Sequence, residues 1–190
     1  MIRILCMAMI SLFICSCANK KYKEPHILID TAFGEIEAEL YPTKAPKTTA
    51  SFLAFIKDGV YNHSSFYRVL KDDDMPTDYN TGLIQGGVWP DKKNVAGIPH
   101  ESTAQSGLSH TNGILSLART GPGTATTEFF ICIGDQSQLD AGRRGTKDSM
   151  GFAAFGKVVK GMNIVRKIQS QPSNGDHFDT KIIISSIKKL

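Results

Sequence analysis

The chain has 190 residues, 41% of them apolar and 21% charged, and its 22 basic and 18 acidic side chains give a net charge of +4. This length and composition are typical of one globular domain with a sizeable core. The small basic excess is scattered along the chain. This excludes the concentrated basic face of a nucleic-acid-binding protein, so no nucleic-acid partner is expected.

The first 16 residues have the layout of a secretory signal. Arg3 is followed by a mostly apolar run from Ile4 to Ile14, and one basic residue before a short apolar core is typical of exported proteins. The run is too short for a membrane-spanning helix, which needs about 20 residues. On these grounds an ordinary cleaved signal, or a buried apolar segment, remains open.

The end of the apolar run reads Ile-Cys-Ser-Cys over residues 14–17. It resembles the lipobox of bacterial lipoproteins, in which a branched apolar residue and small residues precede an obligatory cysteine. The resemblance implies a lipoprotein signal peptide at 1–16, a lipid on Cys17 and a tether over 17–25, so that the protein is exported and held at a membrane on its periplasmic or cell-surface side. Only Cys132 then remains in the body of the chain, which excludes an intramolecular disulfide.

The mature domain, residues 26–190, begins with a predicted hairpin. His26–Thr31 reads as one strand, and Glu35–Tyr41 alternates polar and apolar residues with the period of a half-buried strand. The side chains predicted to face inward are Ile36, Ala38 and Leu40. A helix is expected next, because Pro46 suits a first helical position and Gly59 is typical of a helix end.

Beyond residue 60 the chain consists mostly of short apolar runs separated by Gly, Pro, Asn and Asp. A second helix is predicted at Met162–Ile168. The predicted strands are Ser65–Leu70, Leu83–Gly86, Ile114–Ala118, Glu128–Ile133, Ala153–Val159 and Ile182–Ile187. Many short strands with turn signals between them indicate an antiparallel sandwich or barrel, and this pattern alone does not choose between the two.

Four segments carry the most specific signal. They read Phe-Tyr-Arg-Val at 66–69, Leu-Ile-Gln-Gly-Gly at 83–87, Gly-Ile-Leu-Ser-Leu-Ala-Arg at 113–119 with Glu-Phe-Phe-Ile-Cys at 128–132, and Phe-Ala-Ala-Phe-Gly-Lys-Val-Val-Lys-Gly-Met at 152–162. In this order and spacing they resemble the signature segments of the cyclophilins. The resemblance implies a mainly β fold, a closed eight-stranded antiparallel β-barrel capped by two α-helices, with its groove on the outer face because the interior is packed.

The cyclophilin resemblance also implies an activity, peptidyl-prolyl cis–trans isomerisation. Rotation about a peptide bond costs about 18–20 kcal/mol, and the uncatalysed step before proline takes tens to hundreds of seconds. A catalyst must favour the twisted amide, whose nitrogen regains a lone pair. A fixed arginine can donate to that nitrogen. We expect a monomer without cofactor or metal, whose partners are proline-containing polypeptides among exported proteins that it helps to fold.

By this resemblance Arg68 is the catalytic residue. Phe130 would form the floor of the proline pocket, with Leu139 and Leu83 as further apolar walls, and Gln85 would position the substrate backbone. Ala118 and Arg119 match a strand that pairs with the substrate main chain. The remaining residues expected to contact the substrate are Phe66, Glu128 and Phe152.

Some positions depart from the cyclophilin pattern. Gly82 stands where many members have a pocket phenylalanine. Either Tyr79 or Met75 is predicted to fold back over the resulting gap. Alternatively, the stretch 71–81 is only a solvated acidic loop. Glu128 replaces a glutamine; near Arg68 its carboxylate would either orient the guanidinium or reduce its effective charge.

Two further departures concern the pocket rim. Phe152 replaces a histidine of the animal members, which keeps an apolar wall and argues against an acid–base role there. Gln138 stands where drug-sensitive members have tryptophan, which predicts weak binding of cyclosporin in a calorimetric titration.

Two other functions remain open from the sequence. Gly82 and Glu128 favour a binding module that holds proline segments with little turnover. The second is a metal or hydrolytic enzyme, suggested by three residues that are close in sequence, His100, Glu101 and His110. Their spacing matches no zinc pattern, and no serine stands in a nucleophile-elbow context.

Overall fold

The computed structural model describes residues 22–72, 81–89 and 95–190. The strands in these ranges are β1 (His26–Thr31), β2 (Gly34–Leu40), β3 (Ser64–Lys71), β4 (Gly82–Gly87), β5 (Ile114–Leu117), β6 (Phe129–Ile133), β7 (Ala153–Lys160), β8 (Ser173–Asn174) and β9 (His177–Lys189). They pair antiparallel in the order β1-β2-β7-β5-β6-β4-β3-β9, with β8 added as a short hairpin on β9. Because β1 also pairs with β9, the first eight close into a barrel. The predicted closed eight-stranded barrel is confirmed.

Three helices accompany the barrel in the described part of the chain: α1 (Pro46–Lys57), α2 (Thr103–Ser106) and α3 (Met162–Gln169). The first and third match the two predicted helices within two residues. Helix α2 was not predicted, because four residues are too short to show a helical period. Among the described residues, no helix has both the length and the apolar character that crossing a membrane requires.

The barrel has two apolar layers, because alternate residues of each strand face opposite sides. Inside it, the three side chains predicted to face inward from β2 are fully buried. The inner layer is rich in aromatic rings, with Phe52 packed on Phe129 and Phe155. The outer layer is smaller and consists of Leu83, Ile114, Phe130, Cys132 and Ala154. Since the interior is filled, ligands have access only to the outer layer.

The single cysteine in the body of the chain lies in this outer layer. Cys132 is fully buried and makes no disulfide. Burial raises the pKa of its thiol far above the usual range. Cys132 is therefore an unreactive buried thiol, because burial suppresses the reactive thiolate.

Strand β9 is longer than the sequence predicted. It begins at His177, five residues before the predicted start at Ile182. The added segment carries mostly exposed polar side chains and lacks the apolar period that marked the other strands. It joins the sheet through its main chain, which pairs with β8 and β3.

Glu101, one of the residues considered as a metal ligand, caps helix α1. Its carboxylate oxygens accept the amides of Lys47 at 3.0 Å and Thr48 at 2.8 Å. The N-cap residue itself, Ala45, has no side chain that could accept these bonds. The described ranges contain no group of three His, Cys, Asp or Glu side chains arranged to hold a metal ion.

Candidate active site

An irregularity in β3 determines which of its side chains reach the outer face. Phe66 lies opposite Gly86 on β4 and Arg68 lies opposite Gln85, so Tyr67 is an extra residue between them. In a regular strand Phe66 and Arg68 would share one face. The bulge breaks this alternation, so that Tyr67 and Arg68 both line the outer cleft while Phe66 points into the barrel.

Phe66 therefore does not contact the cleft. Its ring is fully buried and packs edge-on against Phe129 at 5.7 Å. The expectation that it binds substrate is wrong, because the bulge leaves Phe66 facing the barrel interior while Arg68 lines the cleft.

The outer face holds a cleft of about 510 Å³. Every other residue predicted to contact the substrate lines it: Arg68, Leu83, Gln85, Ala118, Arg119, Glu128, Phe130, Leu139 and Phe152. Residues that were not predicted also line it, namely Tyr67, Leu70, Trp89, Thr120, Thr124, Thr126, Gly145 and His177. The cleft thus combines an apolar part with a polar wall, a composition typical of a binding site.

Phe130 forms the floor of the apolar part. It is 2% exposed, and the ring of Phe152 meets it edge-on at 5.4 Å. The ring of His110 stacks on Phe130 at 5.9 Å and also lies 6.4 Å from the ring of Phe152. Leu83 and Leu139 pack against the same ring cluster. The result is an apolar socket lined by aromatic and leucine side chains.

Arg68 begins a chain of hydrogen bonds along the polar wall. Its Nη1 donates to Oε1 of Gln85 at 3.0 Å. The amide nitrogen of Gln85 donates to the hydroxyl of Tyr67 at 2.9 Å, and this hydroxyl donates to Oε2 of Glu128 at 2.6 Å. At its other side, Nε of Arg68 donates to Oδ2 of Asp176 at 2.7 Å. Within the described residues, Nη2 has no hydrogen-bond partner, and Arg68 lines the cleft, so this donor is available to a ligand.

Glu128 makes no direct pair with Arg68, so neither of its two expected effects, orienting the guanidinium or reducing its charge, arises by direct contact. Besides Tyr67, its carboxylate accepts the amides of Val88 and Trp89, each at 3.0 Å. Burial, and then the bond to Glu128, raise the pKa of the Tyr67 hydroxyl far above its usual range, so it stays protonated. Glu128 is therefore linked to Arg68 through the hydrogen bonds of Tyr67 and Gln85.

Arg119 lines the cleft but is engaged with the loop that follows the socket. Its guanidinium bonds both carboxylate oxygens of Asp148, at 2.7 and 2.8 Å, and its Nε donates to the carbonyl of Gly151 at 2.8 Å. It also lies over the ring of Phe152, 5.4 Å from the centroid. With a side chain only 3% exposed, Arg119 holds this wall in place, and its side chain is not free for substrate.

Two further positions singled out in the sequence, Ala118 and Gly82, lie at the ends of the strands that line the cleft. The amide of Ala118 donates to the carbonyl of Glu128 at 2.9 Å, just beyond the end of β5. Gly82 has φ +135°, and a Cβ there would collide with the carbonyl oxygen of Leu70, so no side chain fits where other members have phenylalanine. Leu70 itself lines the cleft. Tyr79 and Met75 lie outside the described residues, and their role stays a prediction.

A buried cluster behind the socket has the order of a hydrolase triad. His110 contacts Oγ of Ser116 at 2.9 Å through Nε2 and Oδ1 of Asp140 at 2.6 Å through Nδ1. However, His110 and Ser116 are both fully buried, so no substrate reaches the serine. Burial lowers the pKa of His110, although the bond to Asp140 opposes this effect. The cluster fits a neutral imidazole that supports Phe130, and it disfavours the hydrolytic alternative.

Comparison with known proteins agrees with this geometry. The family model described as cyclophilin type peptidyl-prolyl cis-trans isomerase/CLD matches residues 26–189. A peptidyl-prolyl cis-trans isomerase of Acinetobacter baylyi is 37% identical over 170 residues, 84% of each chain. Peptidyl-prolyl cis-trans isomerase B of Escherichia coli is 32% identical over 169 residues, covering 85% of this chain and 97% of its own.

Solved structures show the same fold. A cyclophilin type peptidyl-prolyl cis-trans isomerase of Cryptosporidium parvum, 24% identical, superposes with a TM-score of 0.70 over 87% of this chain and 97% of its own. A second structure of that protein, determined in the presence of the dipeptide Ala-Pro, gives a TM-score of 0.68 over 86% of this chain and 97% of its own. The chain belongs to the cyclophilin-type peptidyl-prolyl cis–trans isomerase family. Its activity is accordingly the interconversion of the two isomers of the peptide bond before proline.

Among the residues that were not predicted, Tyr67, Asp176 and Trp89 show what the sequence lacked. Tyr67 lines the cleft together with Arg68 only because of the bulge, and no local sequence pattern signals a bulge. Asp176 is 108 residues away from Arg68, beyond any spacing rule. Trp89 is the one tryptophan of the sequence and is 41% exposed. A lone tryptophan just after the Gly-Gly of the second segment was the only available signal.

Proposed function

We propose that this protein is an exported, lipid-anchored isomerase that acts, as a monomer, on X–Pro bonds of exported proteins and so assists their folding. The apolar run before residue 14 and the cysteine pattern at 14–17 support export and a lipid on Cys17. The segment up to residue 21 lies outside the described residues, so this part of the proposal rests on sequence.

The observation that carries the catalytic mechanism is the free Nη2 of Arg68 beside the socket floored by Phe130. In our proposal the socket holds the proline ring of the substrate, and Gln85 and the backbone at Ala118 hold the chain around it. Arg68 donates to the amide nitrogen once the bond has twisted. This contact exists in the twisted state and hardly in either planar isomer, so it lowers the barrier without trapping the substrate. The structure of similar fold that was determined in the presence of the dipeptide Ala-Pro is consistent with a proline-containing ligand.

Non-covalent catalysis of this kind depends on how the catalytic groups are positioned before the substrate binds. The guanidinium keeps its charge at any physiological pH, and its bonds to neighbouring side chains hold it before the substrate arrives. Preorganised donors of this type contribute about 100-fold or more to rate in other enzymes. No step needs a cofactor or a covalent intermediate.

The mechanism is tested by cis–trans exchange of an X–Pro peptide, with a soluble form that lacks residues 1–18. We expect Arg68→Ala to lower kcat/KM by about 100-fold while the peptide still binds. Arg143→Ala is the matched control, because this exposed arginine does not line the cleft. An active Arg68→Ala variant would contradict the mechanism. A wild type that binds peptide without turnover would support the binding-module alternative.

The anchor is tested in the full-length chain. We expect wild type expressed in bacteria to sediment with membranes and to carry diacylglycerol by mass spectrometry. Cys17→Ser should lose the lipid and leave the isomerase activity of the domain unchanged. A wild-type chain with an uncut N-terminus, or one free of lipid, would refute the lipoprotein proposal.

A further inference from the structure

The guanidinium of Arg68 has an anionic neighbour outside the cleft. Nε of Arg68 donates to Oδ2 of Asp176 at 2.7 Å, across 108 residues of sequence. Asp176 does not line the cleft. Asp176 contacts two side chains that do line the cleft, Arg68 and His177, so we expect any effect of Asp176 on catalysis to be indirect.

The backbone holds Asp176 against β3. Its carbonyl accepts the amide of Val69 at 2.9 Å, and the next residue, His177, lies opposite Arg68 in the pairing of β3 with β9. Gly175 turns the chain into this position with φ +57°, a conformation that favours glycine. The other carboxylate oxygen, Oδ1, contacts Nδ1 of His177 at 2.6 Å. The carboxylate is thus held by the same strand pair that carries the catalytic arginine.

The two hydrogen bonds to Arg68 come from opposite sides of β3, since Gln85 lies on β4 and Asp176 directly precedes β9. Asp176 engages Nε and Gln85 engages Nη1. An arginine side chain has several freely rotating bonds, and its planar fork is useful only when its direction is set. With Nε and Nη1 both held, the plane of the guanidinium is set, and Nη2 is the donor left for the cleft.

We propose that Asp176 is a positioning residue of the isomerase: it holds Arg68 through Nε so that Nη2 is presented to the substrate amide. This inference rests on the proposed role of Arg68. The side chains of Arg68 and Asp176 are 34% and 41% exposed, so water and salt screen their charge attraction. The orientation of the hydrogen bond, more than the negative charge, is therefore the contribution to catalysis.

The substitutions Asp176→Ala and Asp176→Asn separate these two contributions. Alanine removes both the acceptor and the charge, whereas asparagine keeps an oxygen that can accept from Nε. We expect Asp176→Ala to lower kcat by about tenfold, the effect of losing one charge-assisted hydrogen bond, with KM little changed because Asp176 does not touch the substrate. Asp176→Asn should stay within about twofold of wild type, since a neutral acceptor still orients Nε. Asp179→Asn, an exposed position three residues along β9, is the matched control and should have wild-type kcat.

A spectroscopic readout tests the contact independently of turnover. The Nε–H proton of Arg68 should give a slowly exchanging NMR signal in wild type and in Asp176→Asn, and should lose its protection in Asp176→Ala; Arg68→Lys assigns the signal. Wild-type kcat in Asp176→Ala would overturn the inference, and so would a loss in Asp176→Asn as large as in Asp176→Ala. If the alanine variant does not fold, Asp176→Asn decides: a protected signal with kcat near wild type supports the inference, and any other result overturns it. An inactive wild type would instead refute the proposed function.

Discussion

Arg68 is held at the end of a chain of hydrogen bonds with a defined direction. Gln85 accepts from Arg68 through its amide oxygen and donates through its amide nitrogen, so the amide has one favourable orientation. The hydroxyl of Tyr67 accepts from Gln85 and must then donate to Glu128. A carboxylate at position 128 can only accept, whereas the glutamine of other members can also donate. Glu128 thereby sets the direction of every bond back to Arg68.

Removing the hydroxyl of Tyr67 should therefore weaken catalysis at a distance. In Tyr67→Phe, the amide of Gln85 loses its partner and can rotate, so Arg68 is held less well. We expect kcat/KM to fall by about fivefold, equivalent to roughly 1 kcal/mol, in the peptide exchange assay. The pKa of Tyr67 is raised by burial and by Glu128, so the wild-type rate should not change with pH through ionisation of this hydroxyl near neutrality.

Tyr61→Phe is the matched control for this variant. Tyr61 is also buried and its hydroxyl also donates one bond, to the carbonyl of Thr127 at 3.0 Å, but it does not line the cleft. Tyr61→Phe loses one hydrogen bond and Tyr67→Phe loses two, at about 1 kcal/mol of stability for each bond. Equal kcat/KM values for the two variants would mean that the chain through Tyr67 does not orient the arginine.

At the scale of elements, the first helix depends on a residue from a distant loop. Helix α1 begins at Pro46, and no side chain at its N-cap accepts the exposed amides. Glu101 supplies the missing acceptor for two of them. A carboxylate at a helix N-terminus also interacts favourably with the helix dipole. The contact ties the loop before α2 to the helix and explains why Glu101 is 8% exposed without serving a metal.

Glu101→Ala should destabilise the fold and leave the chemistry intact. We expect the free energy of unfolding to fall by about 1–2 kcal/mol in urea denaturation, the usual effect of losing an N-terminal cap. The Michaelis parameters should stay at wild-type values, because Glu101 does not line the cleft. Glu35→Ala, at an exposed position on β2, should change stability by less than about 0.5 kcal/mol. A stable Glu101→Ala variant would show that the loop is held by other contacts.

At the scale of the whole molecule, a buried polar cluster lies behind the socket and supports it. Neutral His110 donates from Nδ1 to Asp140 and accepts at Nε2 from Ser116, which satisfies all three groups. The ring also backs Phe130. Protonating His110 would place a second charge in the interior and break the bond from Ser116, so the folded state resists it.

This resistance makes stability depend on pH. The folded pKa of His110 lies below its ordinary value of 6.5, so above that value the residue is neutral in both the folded and the unfolded chain. As the pH falls below 6.5, the unfolded chain takes up a proton that the folded chain does not. Stability should therefore fall on acidification, by at most about 1.4 kcal/mol per pH unit from this group.

The measurement is urea denaturation at a series of pH values between neutral and mildly acidic. His110→Asn keeps a donor for Asp140 but cannot be protonated, and it should flatten the slope. His100→Asn, whose side chain is more exposed, should keep the wild-type slope. Identical slopes for wild type and His110→Asn would mean that the buried imidazole does not govern the acid sensitivity.

The sequence by itself determined the local structure and the identity of the main site residues. Periodicity located the strands and the two longer helices, because side-chain alternation and helix ends are set by neighbours in the chain. The cyclophilin-like segments placed Arg68, Gln85 and Phe130 at one site. Short pieces such as α2, and the polar start of β9, carry no periodic signal and were missed.

Only the tertiary structure decided which groups meet across the barrel. Its closure depends on β1 pairing with β9 at the opposite end of the chain, which strand patterns cannot show. The bulge at Tyr67 turned Phe66 inward and Arg68 outward, because the strand adapts to two partners at once. The partners of Arg68 and Glu128 were likewise unpredictable, since hydrogen bonds between distant residues follow from where the folded backbone brings them and not from their spacing in sequence.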